Sequence, residues 1–321
     1  MRVAVSISAS NDAKISQERK NALKENLWKY KALYLMSIPG ILYFIVFKYI
    51  PLAGTIIAFQ EYSIFKGFLH SPFVGFKHFQ ALFQYAEFWS ILKNTLVINF
   101  YDVALGFPAP IILALMLNEV TKMYFKRTIQ TIVYLPHFLS WVVIGGMFIT
   151  EILSPQTGLI NIFIKYLGFE PIYFLSKAEF ARGIVVGAAI WKDVGWGTII
   201  YLAAIAGINP NLYDAASVDG AGRMRQLIHI TIPAVIPVMT TVFLIKIGHF
   251  LDTGFERIWV FRNGANRETI DIFETYIYQV GLLQSRFSYT TAIGVFKSVV
   301  GFLLLSLGNL ASKKTTGEGI F

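Results

Sequence analysis

Six long runs of apolar residues constrain this 321-residue chain more than any other feature of its sequence. A helix needs about 20 mostly apolar residues to cross roughly 30 Å of hydrocarbon, and unpaired backbone groups are too costly in lipid for an open strand or loop. The runs are too long and too uniformly apolar for the alternating strands of a membrane barrel, which have roughly ten residues. We therefore predict an all-α, polytopic membrane protein. The six predicted spans are Ala32–Phe59, Thr95–Asn118, Ile129–Thr150, Gly183–Ala206, Ile232–Phe250 and Tyr289–Ala311.

The composition of the chain agrees with a membrane protein and argues against several other classes. Apolar residues make up 55% of the sequence and charged residues only 15%, whereas soluble domains average about 45–50% and roughly 25%. So few charges do not cover a soluble globule of this length, which argues against a cytosolic enzyme or a nucleic-acid-binding domain. The sequence contains no cysteine and only five scattered histidines, so it offers no disulfide, no thiolate ligand and no recognisable metal centre.

The distribution of basic residues predicts the orientation in the membrane. Fourteen Lys and Arg residues fall in the N-terminal segment, the second and fourth connections and the tail, whereas ten fall in the longer, more acidic connections on the other side. Because short basic connections stay in the cytoplasm, we expect a cytoplasmic N-terminal segment 1–31, a membrane domain 32–311 and a cytoplasmic tail 312–321. The net charge of +9 is then explained by the orientation of the chain in the membrane, and no nucleic-acid partner is needed to account for it.

The connection between the fourth and fifth predicted spans, residues 209–233, carries strong local signals. Asn209 is suited to cap a helix whose first turn holds Pro210, where the missing N–H does no harm. Gly220 supplies a left-handed stop, and a second short helix then runs until Pro233 breaks it. We predict a helix–turn–helix that lies near the membrane surface.

Small and charged residues on this connection suit contact with another protein. Ala215 and Ala216 let a partner backbone approach closely, and the charges beside them can set its register. An ordinary inter-span loop is the alternative, which the local chemistry leaves open. The charged positions are Asp214, Asp219, Arg223 and Arg225.

The spacing within this connection resembles the cytoplasmic signature of binding-protein-dependent ABC importer permeases. That signature reads Glu-Ala-Ala, three residues, Gly, nine residues, Ile-x-Leu-Pro. Asp214 stands here in place of the glutamate and Ile232 in place of the leucine. The matching residues are Asp214-Ala215-Ala216, Gly220 and Ile230-Thr231-Ile232-Pro233.

Two further stretches are similar to sugar permeases of this family. One precedes the second span and looks like maltose-type permeases; the other precedes the last span and looks like permeases for oligosaccharides and acidic polysaccharide fragments. The likeness extends from about Tyr30 to Ala311. The residues that carry it are Val74-Gly75-Phe76, Phe79, Phe88-Trp89 and Asn94-Thr95-Leu96 in the first stretch, and Thr275-Tyr276-Ile277-Tyr278, Gly281 and Phe287-Ser288-Tyr289 in the second.

The resemblance implies the fold of a type I ABC importer permease, which is a transport subunit and not an enzyme. Such a permease pairs with a second, homologous permease in the bacterial cytoplasmic (inner) membrane and sits on a cytoplasmic ATPase dimer. It receives a sugar or oligosaccharide from an extracytoplasmic solute-binding protein. The sequence has no phosphate-binding loop of the form GxxxxGK[ST], so ATP and Mg belong to the partner ATPases and this chain is expected to bind no cofactor.

The resemblance also makes residues 209–233 a coupling segment, whose helix docks in a groove of the ATPase. ATP-driven closure then moves the docked helix as a rigid lever and tilts the spans between inward and outward access. The residues assigned to coupling are Asp214, Ala215, Ala216, Asp219, Gly220, Arg223, Ile230 and Pro233.

Ionisable residues inside the predicted spans are functional candidates, because burying a charge in lipid is costly. Four lysines and two aspartates lie there, which favours a path for a neutral or acidic saccharide, and neighbouring tryptophans offer faces for sugar rings. The alternatives are ion pairs within the bundle, snorkelling to the surface or contact with the partner permease. The predicted substrate path comprises Trp191, Lys192, Asp193, Trp196, Lys246 and Lys297.

Two other functions are alternatives at this point. A secondary transporter also has several spans with buried charges, but it does not need a coupling segment. A membrane-embedded phosphotransferase is suggested only by Asp219-Gly220-Ala221-Gly222-Arg223, which is faintly similar to the Asp-Gly-x-x-Ala-Arg opening of phospholipid-synthesising enzymes. The downstream Gly-x-x-x-Asp-x-x-x-Asp ligands of those enzymes are absent from the sequence.

Overall fold

The computed structural model describes residues 28–315, which fold almost entirely into helices. Within that range, β pairing is limited to one antiparallel bridge between Gln60 and Phe73, so the predicted all-α class is confirmed. Most of the predicted N-terminal segment (residues 1–27) and residues 316–321 of the predicted tail lie outside the described residues. The chain divides into a first unit that ends at Ile57 and a second unit that starts at Ala58.

Five helices among the described residues are long and apolar enough to cross a membrane, and they coincide with five of the six predicted spans. We call them the first, second, fourth, fifth and sixth spans. Each begins earlier than its apolar run, because helical turns precede the apolar residues. In that order, their bounds are Lys31–Phe59, Ala86–Glu119, Ala178–Ala206, Arg223–Gly248 and Phe287–Lys314.

The third predicted span, Ile129–Thr150, is wrong as a single straight helix. The structure has two helices there, Met123–Phe138 and Trp141–Ile152, bent by 108° relative to each other, and we call this pair the broken span. Pro136 lies in a 3₁₀ turn that ends the first helix, and the Ser140 side chain accepts a backbone N–H of the second helix. A proline and a capping serine therefore interrupt the apolar run at this point.

The first span accounts for nearly all of the described part of the first unit. It comprises an α-helix over Lys31–Phe44, a π-helical turn over Ile45–Tyr49, a further α-helical turn over Ile50–Ala53 and a 3₁₀ end over Gly54–Phe59. Between residues 31 and 53, no side chain is buried within the chain. A helix that is apolar all round in this way is typical of a membrane span.

The fourth span lies at the centre of the second unit, where the second, fifth and broken spans pack against it. Glycine permits the closest of these approaches. A Cβ atom at Gly195 would overlap the backbone carbonyl of Val133 in the broken span, and a Cβ at Gly197 would lie 3.1 Å from Pro110 in the second span. Close approach through small residues is a common way for membrane helices to associate.

Short helices fill the connections on the side opposite the predicted coupling segment. The second and fourth spans hold these connections through polar side chains: Asn94 donates to the carbonyls of Glu268 and Asp271 at 2.9 and 3.1 Å, and Arg182 donates to the carbonyl of Thr269 at 3.0 Å. The short helices are Gly67–His70, Lys77–Gln84, Leu159–Tyr166, Phe174–Ser176, Phe255–Phe261, Arg267–Ile270 and Phe273–Tyr276, the last of which continues in a π-helical turn over Ile277–Leu283.

Candidate functional site

The coupling segment begins with a short helix, Pro210–Val218, whose two ends are built as the sequence predicts. At the N-terminus, the Asn209 side chain accepts a backbone N–H of the first turn at 3.0 Å. At the C-terminus, Gly220 has a φ angle of +76°, and the N–H of Ala221 donates to the carbonyl of Ala216 at 2.8 Å. This bond and the positive φ form a Schellman motif, which stops the helix at the predicted glycine.

One side of this short helix is tied to the fifth span and the other side is exposed. The Tyr213 hydroxyl lies 2.9 Å from Thr231 Oγ1, and Gln226 Nε2 donates to Ser217 Oγ at 2.9 Å. The exposed side mixes apolar and charged residues, a composition that suits contact with a soluble protein. Its members include Leu212, Asp214, Ala215, Val218, Asp219 and Arg223.

The structure corrects the prediction at Pro233, which does not end a second short helix. Helical backbone starts at Arg223, passes through a π-helical turn that includes Ile230, and continues as the fifth span to Gly248. The wider turn directly before Pro233 displaces the carbonyls with which its ring would clash, so the proline enters the new α-helix at its first turn. The segment is therefore a short helix followed directly by a span.

A cavity of about 500 Å³ lies between the second, fourth and fifth spans, beside the bend of the broken span. Its walls combine aromatic, polar and charged side chains, in contrast to the apolar outer surfaces of the same helices. The connection that follows the fifth span closes one end of the cavity. The polar and aromatic residues of its wall are Asn99, Asp102, Phe107, His137, Asp193, Trp196, Tyr201, Lys246, His249, Phe250, Asp252, Thr253 and Arg257.

Three of the six residues predicted for the substrate path line this cavity, namely Asp193, Trp196 and Lys246. The other three lie elsewhere. Trp191 is half-exposed and contacts the ring of Phe148 in the broken span, with centroids 5.8 Å apart. Lys192 and Lys297 are both taken up by contacts within the chain.

Lys192 is buried and binds the bend of the broken span. Its Nζ donates to the carbonyls of Leu139 at 2.5 Å and His137 at 2.7 Å, and lies 5.6 Å from the centroid of the Trp141 ring. These carbonyls lie where the first helix of the broken span ends, so the ammonium group satisfies acceptors that the helix itself leaves open. This contact holds the two halves of the broken span to the fourth span.

Lys297 belongs to an ion cluster at the start of the sixth span. Its Nζ lies 2.8 Å from Asp252 and is also hydrogen-bonded to Glu274. Together with neighbouring residues of the fifth and sixth spans, it lines a separate cavity of about 290 Å³. Pairing with acids within the bundle was one of the alternatives for these lysines, although the sequence does not identify Asp252 and Glu274 as the partners.

Charge pairs organise the wall of the larger cavity. Arg257 Nη2 donates to Asp102 Oδ2 at 2.6 Å, and His137 Nδ1 lies 2.9 Å from Asp193 Oδ1. Lys246 Nζ donates to the backbone carbonyl of Asp102 at 3.2 Å, and within residues 28–315 it makes no ion pair. Lys246 is therefore the lysine of this cavity that retains donors for a further acceptor.

Several residues of the cavity wall are not among those predicted from the sequence for the substrate path. Arg257 lies outside the predicted spans, on a short helix that packs back into the bundle, where it is buried. His137 follows Pro136 in the broken span, and its proline is the signal in the sequence that marks an interruption. Tyr201 lines the cavity, and its buried hydroxyl has no hydrogen-bond partner within residues 28–315.

These features, a helical bundle with charged side chains in a cavity between its spans and a capped surface helix between two spans, are consistent with a transport subunit. Residues 106–317 match the family described as the binding-protein-dependent transport system inner membrane component, and the chain belongs to this family. It is therefore a membrane-embedded, multi-pass permease subunit, and its family is one of transport subunits and not of catalytic ones. Membership favours the permease over the secondary transporter and the phosphotransferase.

Similar proteins include permeases of carbohydrate importers. The chain is 46% identical over 322 residues to the polygalacturonan/rhamnogalacturonan transport system permease protein YteP of Bacillus subtilis (strain 168), covering 100% of both chains. It is 39% identical to a chain in the crystal structure of a bacterial ABC transporter involved in the import of the acidic polysaccharide alginate, with a TM-score of 0.84 and coverage of 92% of this chain and 99% of that one. A further structure of bacterial alginate ABC transporter, in complex with alginate pentasaccharide-bound periplasmic protein, gives 39% identity, a TM-score of 0.85 and the same coverage.

Proposed function

We propose that this chain is one of the two permease subunits of an ATP-driven importer for an acidic oligosaccharide. An extracytoplasmic solute-binding protein delivers the substrate, a second homologous permease forms the other half of the path, and a cytoplasmic ATPase dimer carries ATP and Mg. This chain itself binds no cofactor. Both termini face the cytoplasm, as the distribution of basic residues predicts. The observation that carries the proposal is a cavity with aromatic, polar and charged side chains in its wall, lined in part by the two spans that the coupling segment joins.

The cavity offers both kinds of contact that a sugar ring requires. Trp196 presents an aromatic ring at the wall, where a carbohydrate can stack, and the half-buried His137 lies against it. A buried hydroxyl without a partner is unfavourable by about 1–3 kcal/mol. A sugar hydroxyl within reach of Tyr201 would relieve that cost.

The acidic character of the substrate is assigned from one cation of the wall, Lys246, because the other charged side chains of the wall are paired within the chain. The guanidinium of Arg257 and the imidazole of His137 already face carboxylates of the chain, Asp102 and Asp193. Within residues 28–315, Lys246 donates to a backbone carbonyl and makes no ion pair, and an ammonium group attracts an anionic partner. We assign the carboxylate of a uronate ring to Lys246. The relatives named for polygalacturonan and for alginate are consistent with this substrate class.

The coupling segment would transmit the motion of the ATPases to this cavity. The short helix Pro210–Val218 exposes its mixed surface for docking, and the fifth span leaves the segment at Arg223 as one continuous helical stretch. Lys246 lies about 35 Å further along that span at 1.5 Å per residue. The fourth span, which ends just before the segment, carries Asp193 and Trp196. A displacement of the docked helix therefore acts on two walls of the cavity at once.

The test is uptake by the complete importer in liposomes that contain ATP, with oligogalacturonate and neutral galactose oligosaccharides of equal length. We expect ATP-dependent uptake of the acidic oligosaccharide, a several-fold decrease for Lys246→Gln and partial retention for Lys246→Arg, because arginine preserves the charge. Uptake without the ATPases, or of neutral oligosaccharides alone, would contradict the proposed function. Unchanged uptake by Lys246→Gln would contradict the assignment of Lys246 and leave the importer function standing.

A further inference from the structure

A closed hairpin of residues 60–73 projects from the side of the bundle opposite the coupling segment. The bridge between Gln60 and Phe73 closes its neck, together with a bond from the Glu61 N–H to the Pro72 carbonyl at 2.9 Å. Inside the hairpin, Gln60 Nε2 donates to the carbonyl of Phe68 at 3.0 Å. These bonds fix the shape of the hairpin independently of any partner.

The hairpin is attached at the level where the sixth span begins. The backbone N–H of Tyr62 donates to Ser288 Oγ at 2.9 Å, and the rings of Tyr62 and Phe287 meet edge to face at 6.2 Å. At the same level, the guanidinium of Arg286 lies 4.8 Å from the centroid of the Tyr289 ring. Tyrosine and arginine at the end of a spanning helix are typical of the membrane–water interface. The neck of the hairpin therefore lies at the height of the lipid headgroups.

The tip of the hairpin is apolar, basic and exposed. Phe65 is fully exposed and Leu69 is 93% exposed, although hydrogen bonds hold the backbone of the hairpin to which both belong. Lys66 and His70 alternate with them, and the sequence from residue 62 to residue 76 contains no aspartate or glutamate. Exposed apolar residues beside a lysine, without acids, suit insertion into an anionic membrane surface.

Glu61, the acidic residue of the hairpin, does not argue against contact of the tip with an anionic membrane surface. Glu61 lies on the bundle side of the hairpin, and Lys77 Nζ donates to its carboxylate at 2.6 Å. The side-chain hydrogen bond from Lys77 lowers the pKa of Glu61, so the two charges offset each other there. The lysine of the hairpin, Lys66, therefore gives its tip a positive charge.

We infer that residues 64–70 form an interfacial anchor, which inserts Phe65 and Leu69 between the lipid headgroups and places Lys66 against their phosphates. The anchor steadies the start of the sixth span at the membrane surface. The bilayer is the occupant favoured over a protein partner, because the neck is held at headgroup height and the tip matches an anionic surface in both polarity and charge. This inference is independent of the transported substrate.

Site-specific labelling tests the anchor, and the absence of cysteine from the sequence makes single-cysteine labelling straightforward. The variants Phe65→Cys and Leu69→Cys carry a spin label in the assembled importer, in bilayers that contain phosphatidylglycerol. Collision rates with oxygen, which concentrates in lipid, and with a water-soluble nickel chelate report depth. Gln156→Cys, an exposed polar position on the same side, is the control.

We expect an oxygen-to-nickel collision ratio several-fold higher at residues 65 and 69 than at residue 156. A ratio equal to that of the control places the tip in water and overturns the anchor. A label at residue 65 that is shielded from both reagents and crosslinks to the second permease or the binding protein also overturns it, because the occupant is then a protein. None of these measurements depends on transport, so the anchor and the proposed function fail separately.

Discussion

The imidazole of His137 lies parallel to the indole of Trp196, with ring centroids 4.4 Å apart and an angle of 3° between the planes. His137 belongs to the bend of the broken span and Trp196 to the fourth span, so the stack joins two elements at the cavity wall. Asp193, one turn before Trp196, approaches the same imidazole at 2.9 Å. The stacked pair is thus held from two directions, and under the proposed function it is a preformed surface for an incoming sugar.

Replacing Trp196 tests this surface. Trp196→Ala removes the ring on which a sugar would stack, and a roughly tenfold rise in the KM of uptake is expected from the energy of one aromatic contact. Trp196→Phe retains a smaller ring and is expected to have a weaker effect. Trp191→Ala is the control, because Trp191 points away from the cavity wall. Equal effects at the two tryptophans would show that neither acts through the cavity.

Replacing Lys192 is expected to affect stability before transport. Lys192→Met fills the space but leaves the buried carbonyls of His137 and Leu139 without their donor, at a cost of at least about 2 kcal/mol in the free energy of unfolding. Thermal unfolding of the purified subunit complex measures this loss, and Lys246→Met serves as the comparison. If the Lys192→Met protein were stable but defective in uptake, the result would instead support the predicted role of Lys192 in the substrate path.

Replacing Gly220 is expected to impair the coupling of ATP hydrolysis to uptake without preventing the chain from folding. Its φ of +76° disfavours any β-branched residue, although a Cβ atom there meets no other atom within 4 Å. Gly220→Val is therefore expected to distort the turn by strain alone, about 1–2 kcal/mol, and to uncouple ATP hydrolysis from uptake while membrane insertion stays intact. Gly220→Asn, which tolerates a positive φ, is the matched control. Normal uptake per ATP hydrolysed in the valine variant would rule out this role of the turn.

Two glycines of the fourth span provide a test of helix packing. Gly195→Ala introduces a methyl group where the backbone carbonyl of Val133 already lies, so the broken span must move away and the complex is expected to lose thermal stability. Gly187→Ala, two turns earlier on the same helix, meets nothing within 4 Å and is expected to be neutral. The difference in unfolding temperature between the two variants measures the contact, and no difference would argue against it.

The spans and the coupling helix could be predicted from the sequence because their causes are local. Apolar length determines a span, and a capping asparagine and a left-handed glycine determine the bounds of Pro210–Val218. The bend of the broken span was missed, because hydropathy sums over Ile129–Thr150 without regard to Pro136. The continuity through Pro233 was also missed, since a wider helical turn before a proline leaves no mark in composition.

The cavity could be predicted only in part. Charge within an apolar run draws attention to Lys246 and Asp193, which line the cavity, but it does not reveal where a long side chain points. Lys192 and Asp193 are neighbours in the sequence and both contact the bend of the broken span, yet only Asp193 also lines the cavity. Arg257 lies outside every apolar run, so only the folding of its short helix back into the bundle brings it to Asp102.

The unbroken course of the fifth span from Arg223 to Lys246 has a consequence for release of the substrate. A helix resists twisting as well as bending, so a torque applied at the coupling segment would be transmitted to the far end of the fifth span. A small rotation about the helix axis sweeps the Lys246 ammonium group sideways along the wall, away from whatever it holds. Under the proposed function, such a rotation would release an anionic substrate from Lys246 without a large separation of the helices.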